Sequence, residues 1–194
     1  MTSLKGQVHS VYVGVEGVLG KERKASIDVE LDGIVGDRHR SFEREAWESG
    51  DKQPGGVRRR NERQWSAVSI EELYEISKKL GTVKDLTAAS LGANLCISGV
   101  PELSRSPKGS ILKFPSGAEL IVEEYNPPCH DMGKSIAEDY ETTSGEELGS
   151  TAFPKASQLT RGVVGIVDVP GAIAEGDEVL VEVYATPAWL LRSD

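Results

Sequence analysis

A β-rich α+β fold, a closed or partly closed mixed barrel with a few peripheral helices, is what this sequence predicts. Three observations lead there. Segments alternating apolar and polar residues outnumber segments with helical spacing. They do not alternate with helices in a βαβ rhythm, which argues against a doubly wound sheet. At 194 residues and 38% hydrophobic content, the chain suffices for one real core and is short for two, so a single domain spanning 1–194 is expected, with its core at about 11–183.

The elements follow in order. Gln7 to Val15 carries apolar residues at Val11, Val13 and Val15, and Ala25 to Leu31 alternates more cleanly, so both read as strands joined by a turn over Gly17 to Lys24. Asp32 to Arg40 is a strand end or loop, an apolar pair bounded by glycines and followed by Asp37, Arg38 and His39. From Ser41 to Asn61 the chain is polar and basic, with Arg58, Arg59 and Arg60 in a row, and reads as one long loop, either a solvated face or a lid that gathers anions. Gln64 to Ser69 is a short strand. Ser69 and Glu72 have the spacing of a capping box that opens a helix through Lys79, with Ile70, Leu73, Ile76 and Ser77 on its covered face and Gly81 ending it.

Leu86 to Leu91 reads as a helical turn and Gly92 to Gly99 as a strand in which Cys96 is a packing residue. Ser110 to Phe114 and Ala118 to Glu124 form a hairpin about Pro115-Ser-Gly117. Pro127 and Pro128 then remove two donors and fix φ, so the chain turns out of the sheet and delivers Cys129 at its rim. A helical stretch is expected after Gly133 and Lys134 to about Tyr140, a linker over Thr142 to Ser150, and a further helix over Phe153 to Leu159. Arg161 to Asp168 and Asp177 to Tyr184 close the chain as strands, separated by turns at Pro170-Gly171 and Gly176-Asp177.

The composition excludes several classes. A net charge of −9 repels phosphate backbones and anionic lipid, so neither nucleic acid nor membrane is expected as a partner. No apolar run has the length of a spanning helix or a signal core, which gives a cytoplasmic expectation. Cys96 and Cys129 do not make a disulfide framework or a Cys-x-x-Cys site. An isolated cysteine satisfies two descriptions, an inert small hydrophobe or a reactive thiol, and residue pattern leaves both open at Cys129.

Gly33-Ile-Val-Gly36-Asp37-Arg38-His39, Arg63-Gln-Trp-Ser-Ala-Val-Ser69, Leu91-Gly-Ala-Asn94-Leu, Asn126-Pro-Pro-Cys129, and the closing Arg161-Gly162 through Pro170-Gly171 to Gly176-Asp177 stand in one order from about Val11 to Val183. This order resembles the MOSC domains, named for the C-terminal domain of molybdenum cofactor sulfurases, and the chain is similar to their single-domain bacterial members. The resemblance implies a β-barrel, a functional cysteine at Cys129, and a link to molybdenum cofactor or to sulfur carried for it. A thiolate is a soft ligand for a transition metal and also a holder of persulfide sulfur. His130, His39, Arg38 or Arg63 would favour its anion if the fold brings them near. For the pterin and its phosphate the candidate binding residues are Arg38, Arg63, Asn94, Asn126 and Arg161, with Asp37 orienting His39 or Arg38.

The 194 residues do not include the pyridoxal-phosphate-dependent desulfurase domain of eukaryotic cofactor sulfurases, so pyridoxal phosphate is not expected. They also lack the N-terminal domain that helps enclose the cofactor in amidoxime-reducing relatives. Three functions follow. The first is a molybdenum-dependent oxidoreductase, with Cys129 ligating the metal, that reduces an N-hydroxylated small molecule with electrons from a donor protein. The second is a persulfide or cofactor carrier served by a cysteine desulfurase. The third is a thiol hydrolase using Cys129, His39 and Asp37.

Overall fold

In the computed structural model, residues 2–15, 20–48 and 50–186 are described. Seven strands close into a ring: β1 (Thr2–Val13), β13 (Glu178–Val183), β9 (Ile111–Lys113), β10 (Glu119–Tyr125), β11 (Val163–Val169), β7 (Trp65–Ser69) and β8 (Leu95–Ser98), with β8 returning to β1. The seam that closes the barrel is antiparallel, Thr2 opposite Val183 through Gln7 opposite Glu178. Every pairing in the ring is antiparallel except β7 with β8. A parallel pair needs a crossover, and here α1 (Ile70–Leu80) supplies it.

Helix α1 forms as its sequence dictates. Ser69 caps it, accepting from the Glu72 N–H, and Gly81 ends it at φ 65 in the left-handed region that glycine tolerates. Strand alternation then gives the barrel wall two faces. Ala67, Leu95 and Ile97 point inward to a core that includes Trp65, Leu112, Leu120, Val122, Val163 and Val181. Their neighbours Val68 and Cys96 point outward into a second core beneath the helices. That second core takes Leu73 and Ile76 from α1, Met132 and Ile136 from α2 (His130–Asp139), and Phe153 from α3 (Ala152–Ala156). A three-stranded sheet, β12 (Gly171–Ala174), β3 (Ser26–Glu30) and β4 (Gly33–Ile34), adds Ile27, Val29, Ile34 and Ile173 to the barrel core.

Several sequence expectations are corrected. Part of the turn Gly17–Lys24 lies outside the described residues, while Glu22–Lys24 is strand β2, paired with Val11–Val13. The stretch 41–61 is no structureless loop: β5 (Glu43–Glu45) and β6 (Arg58–Arg60) pair as a hairpin. Its arginines are ion-paired, Arg58 with Glu43, Arg59 with Asp51 and Glu62, and Arg60 with Glu123, so it is not an anion-gathering lid. The sequence hid this because the acids stand at no fixed spacing from the arginines, from Glu62 just after Arg59 to Glu123 far along the chain from Arg60. Strand β1 starts at Thr2 and β12 occupies an expected turn. Helix α2 starts at His130, ahead of Gly133, and α3 stops at Ala156, short of Leu159.

Candidate functional site

The early start of α2 decides the setting of Cys129. The thiol is the N-cap of the helix, in extended conformation, and Sγ accepts from the Met132 N–H at 3.5 Å. Met132 and Ile136 anchor the helix in the second core, which aims the Met132 N–H at the sulfur and the Gly133 N–H at the Cys129 carbonyl. Gly133 allows this seat: a Cβ there would stand 2.0 Å from the Ser150 carbonyl oxygen. Cys129 is exposed. His130 turns away from the sulfur, with Nε2 3.1 Å from Ser150 Oγ.

Arg161 lies on the buried side of this thiol. Its Nη2 donates to the Leu91 carbonyl at 2.9 Å, while Nε and Nη1 are buried without a hydrogen-bond partner. Burial pulls the guanidinium down to about 10, opposed by the negative charge of Cys129, which raises it, and aided by Arg63, which lowers it. No acid pairs with Arg161 among the described residues; the groups that act on it are Cys129, Arg63 and Tyr125.

Arg63 joins the cysteine segment to a cleft. Nη2 donates to Asn126 Oδ1 at 2.6 Å and Nη1 to Glu124 at 3.2 Å. Burial lowers its pKa, against the raising effect of Glu124. The Asn126 N–H in turn donates to the Gly162 carbonyl at 2.9 Å, which ties the Asn-Pro-Pro-Cys segment to the residue after Arg161. The cleft, about 440 Å³, is walled by Arg38, His39, Trp47 and Arg63 among others, and Cys129 is not in its wall. Trp47 lies under two guanidinium groups, 4.3 Å from Arg44 and 5.3 Å from Arg63.

Asp37 and Asn94 take interior roles. Asp37 Oδ2 accepts from the Gly14 N–H, Lys21 Nζ and Asn94 Nδ2 at 2.7, 2.8 and 2.7 Å. Its Oδ1 accepts from the His39 N–H and faces His39 Nδ1 at 3.1 Å. Burial alone would raise this carboxyl, yet the bonds from His39 and Lys21 outweigh it and hold it well below the usual carboxylate range. Burial likewise brings the Lys21 ammonium down to about 8, opposed by Asp37. Asn94, expected at the cofactor, instead spends its amide on Asp37, the Tyr12 carbonyl and Ser66. It clips β1, β7 and β8 together and has nothing left to offer a ligand.

The structure thus brings Cys129, Arg161, Arg63 and Asn126 together and places Arg38 and His39 in the adjoining cleft. It does not hydrogen-bond His39 to Cys129, so the hydrolase arrangement of Cys129, His39 and Asp37 has no geometry to stand on among the described residues. Arg38 donates its N–H to the Gly14 carbonyl and Nη1 to the Val15 carbonyl at 3.4 Å. Sequence reasoning missed Lys21 and Tyr125, whose partners Asp37, Ser157 and Leu159 are distant in the chain, and Trp47, whose place under Arg44 and Arg63 is set by the hairpin. No group of three His, Cys, Asp or Glu residues able to hold a metal occurs among the described residues. No helix among them is long and apolar enough to cross a membrane.

The model of the MOSC domain family matches residues 38–180, and that span contains the cysteine, both arginines and the barrel strands that carry them. The chain belongs to the MOSC domain family. A MOSC relative from Bacillus subtilis (strain 168), named "Putative metal-sulfur cluster biosynthesis proteins YuaD", is 38% identical over 161 residues, covering 81% of this chain and 80% of its own. The crystal structure of Bacillus subtilis YuaD superposes with a TM-score of 0.88 at 33% identity, over 95% of this chain and 99% of that one. YiiM from Geobacillus stearothermophilus, with a TM-score of 0.60 at 17% identity over 91% of this chain and 74% of that one, shares the fold alone.

Proposed function

We propose that this MOSC domain binds molybdenum cofactor across Cys129, Arg161 and Arg63 and acts as a small reductase of N-hydroxylated compounds. The observation that carries this reading is the Arg161 guanidinium, buried within electrostatic reach of the exposed Cys129 thiol, with the donor nitrogens Nε and Nη1 unpartnered. Buried donors without partners cost free energy unless a ligand satisfies them, and a guanidinium fork matches phosphate or another oxyanion. The donor set fits as well. With one soft thiolate and no metal-holding cluster among the described residues, the protein offers a metal one ligand, which suits a metal that arrives with sulfur ligands of its own.

Bound there, the cofactor would supply a redox-active metal. The protein's part is separate. Cys129, held as a helix cap, offers a thiolate ligand. Arg161 and Arg63 hold the anionic portion of the ligand, with Asn126 fixing the Arg63 fork. His39, whose Nδ1 faces Asp37, presents its ring in the cleft wall. Reducing an N-hydroxylated compound to the amine takes two electrons and two protons and releases water, so a donor protein must supply the electrons.

A second reading, sulfur carriage, is favoured by the exposure of Cys129 and by the name of the YuaD relative. The Cys129 thiolate would attack the outer sulfur of a desulfurase persulfide, forming its own persulfide and releasing the donor thiolate. Expression in a cofactor-competent host separates the two. Metal and pterin in the wild type, with metal and benzamidoxime reduction lost in Cys129→Ala, are the expected results. Metal in neither protein, with one added sulfur on Cys129 after incubation with a cysteine desulfurase, would replace the first reading by the second.

A further inference from the structure

Behind the Cys129 site, on the side of α1, lies a buried acid that the reading above does not use. Glu72 is 4% exposed. Oε1 accepts from the Ser104 N–H at 3.2 Å and Oε2 from the Ser104 hydroxyl at 2.8 Å. Ser104 Oγ in turn accepts the Gly162 N–H at 2.6 Å. Gly162 directly follows Arg161, and its carbonyl accepts from Asn126. Glu72, Ser104, Gly162, Asn126 and Arg63 therefore form one continuous chain of hydrogen bonds from α1 to the cysteine segment.

The chain passes through a position with no slack. Gly162 has φ 93, and a Cβ there would lie 2.1 Å from the Ala67 carbonyl oxygen. Its backbone is set by the groups that clip it, Ser104 on one side and Asn126 on the other. Arg161 begins at the preceding α-carbon, so the clip sets the backbone from which its guanidinium extends to the Leu91 carbonyl.

We propose that Glu72 is a positioning residue for Arg161, and that protonating it weakens the Ser104–Gly162 clip and loosens the guanidinium near Cys129, so that thiol reactivity follows the charge state of Glu72. The reason is donor and acceptor count. Ionised, the carboxylate accepts both Ser104 bonds. A proton on Oε1 would oppose the Ser104 N–H, and a proton on Oε2 would donate to Ser104 Oγ, turning that hydroxyl's own hydrogen away and making the oxygen accept from Glu72 and Gly162 at once, which weakens the clip. Burial pushes Glu72 up to about 7, against the lowering bonds from Ser104 and with a further rise from the charge of Glu102.

The other groups around Glu72 do not account for the same effect. On its own helix, Glu71 is held by Ser69 and the Gly99 N–H. From the 3-10 turn at Leu103–Arg105, Glu102 pairs with Arg105. From β10, Tyr125 feels the Glu72 charge while its hydroxyl bonds to Ser157 and Leu159. Solvent and protons reach Glu72 through a cavity of about 580 Å³, which Glu75, Lys79 and Thr160 also line.

This inference rests on Cys129 and Arg161 forming the working site but requires no cofactor. The test is the rate of Cys129 alkylation by iodoacetamide, followed by peptide mass spectrometry on the full chain from about pH 5.5 to about pH 8.5, bracketing the Glu72 transition near 7. Glutamine places a donor where the proton would stand, so Glu72→Gln should react like wild type at the acid end and about fivefold more slowly at the alkaline end, the low end of inter-site coupling. Ser104→Ala keeps the acid and removes the relay, and its ratio to wild type should change with pH in the same way. A general packing defect would shift the rate equally at every pH. A pH-independent ratio in either folded variant overturns the proposal, and loss of metal binding in Cys129→Ala is scored separately.

Discussion

At Asp37 a single carboxylate holds the Gly14 and Lys21 segments, the entry to β8 through Asn94, and its own turn at His39. Removing its charge leaves the Lys21 ammonium buried without an anion, which destabilises by about 3 to 5 kcal/mol. Asp37→Asn should therefore lower the urea midpoint accordingly, whereas Lys21→Met with Asp37→Asn should recover part of the loss. Glu72 works in the opposite direction. Its folded-state pKa lies above the ordinary carboxylate value, so its contribution to stability is complete below about 4.5 and is lost as pH rises through about 7. Glu72→Gln should gain thermal stability relative to wild type between about pH 5 and about pH 8, which melting curves at the two ends would read.

Helix α2 is the element on which the site depends. Its N-terminus presents the thiol, and the close approach of Gly133 to Ser150 and Pro154 sets how near that end stands to the barrel. A methyl group at Gly133 would push the helix outward, a form of overpacking that costs about 1 to 3 kcal/mol. Gly133→Ala should lower the urea midpoint and also slow Cys129 alkylation, because the sulfur moves away from Arg161. The hairpin of β5 and β6 contributes differently. Arg44 and Arg59 converge on Asp51 and Glu62, and the Asp51 carboxylate also accepts the Trp47 N–H. These bonds fix Trp47 and one wall of the cleft.

The ring of seven strands couples distant parts of the chain. Strand β1 meets β13 along one half and β8 along the other, so the first and last strands of the barrel support the same wall that β7 and α1 build. Amides in the ring should exchange with solvent only on global unfolding. Amides of the β5–β6 hairpin, paired on one side and mostly exposed, should exchange earlier. Hydrogen exchange read by mass spectrometry checks this, and equal protection in hairpin and ring would count against it. The net charge of −9 gives the molecule an anionic field in which Arg63 and Arg161 form a local exception.

The strands with clean alternation, the Ser69 to Gly81 limits of α1, and the exit of Cys129 through two prolines were legible because each depends on residues a few positions apart. The order of short motifs likewise carried the family. What the sequence could not state was pairing across distance: Lys21 with Asp37, Arg44 with Glu62, Ser104 with both Glu72 and Gly162. Asn94 illustrates the limit, since an amide suited to a ligand is equally suited to three interior partners, and only packing chose between them. The start of α2 at Cys129 was hidden by Gly133, a poor helix former whose place is fixed by the nearness of Ser150 rather than by propensity. Local chemistry set the elements and the exit of the Cys129 thiol; the closed barrel decided that Arg161 would stand buried within reach of its charge with donors to spare.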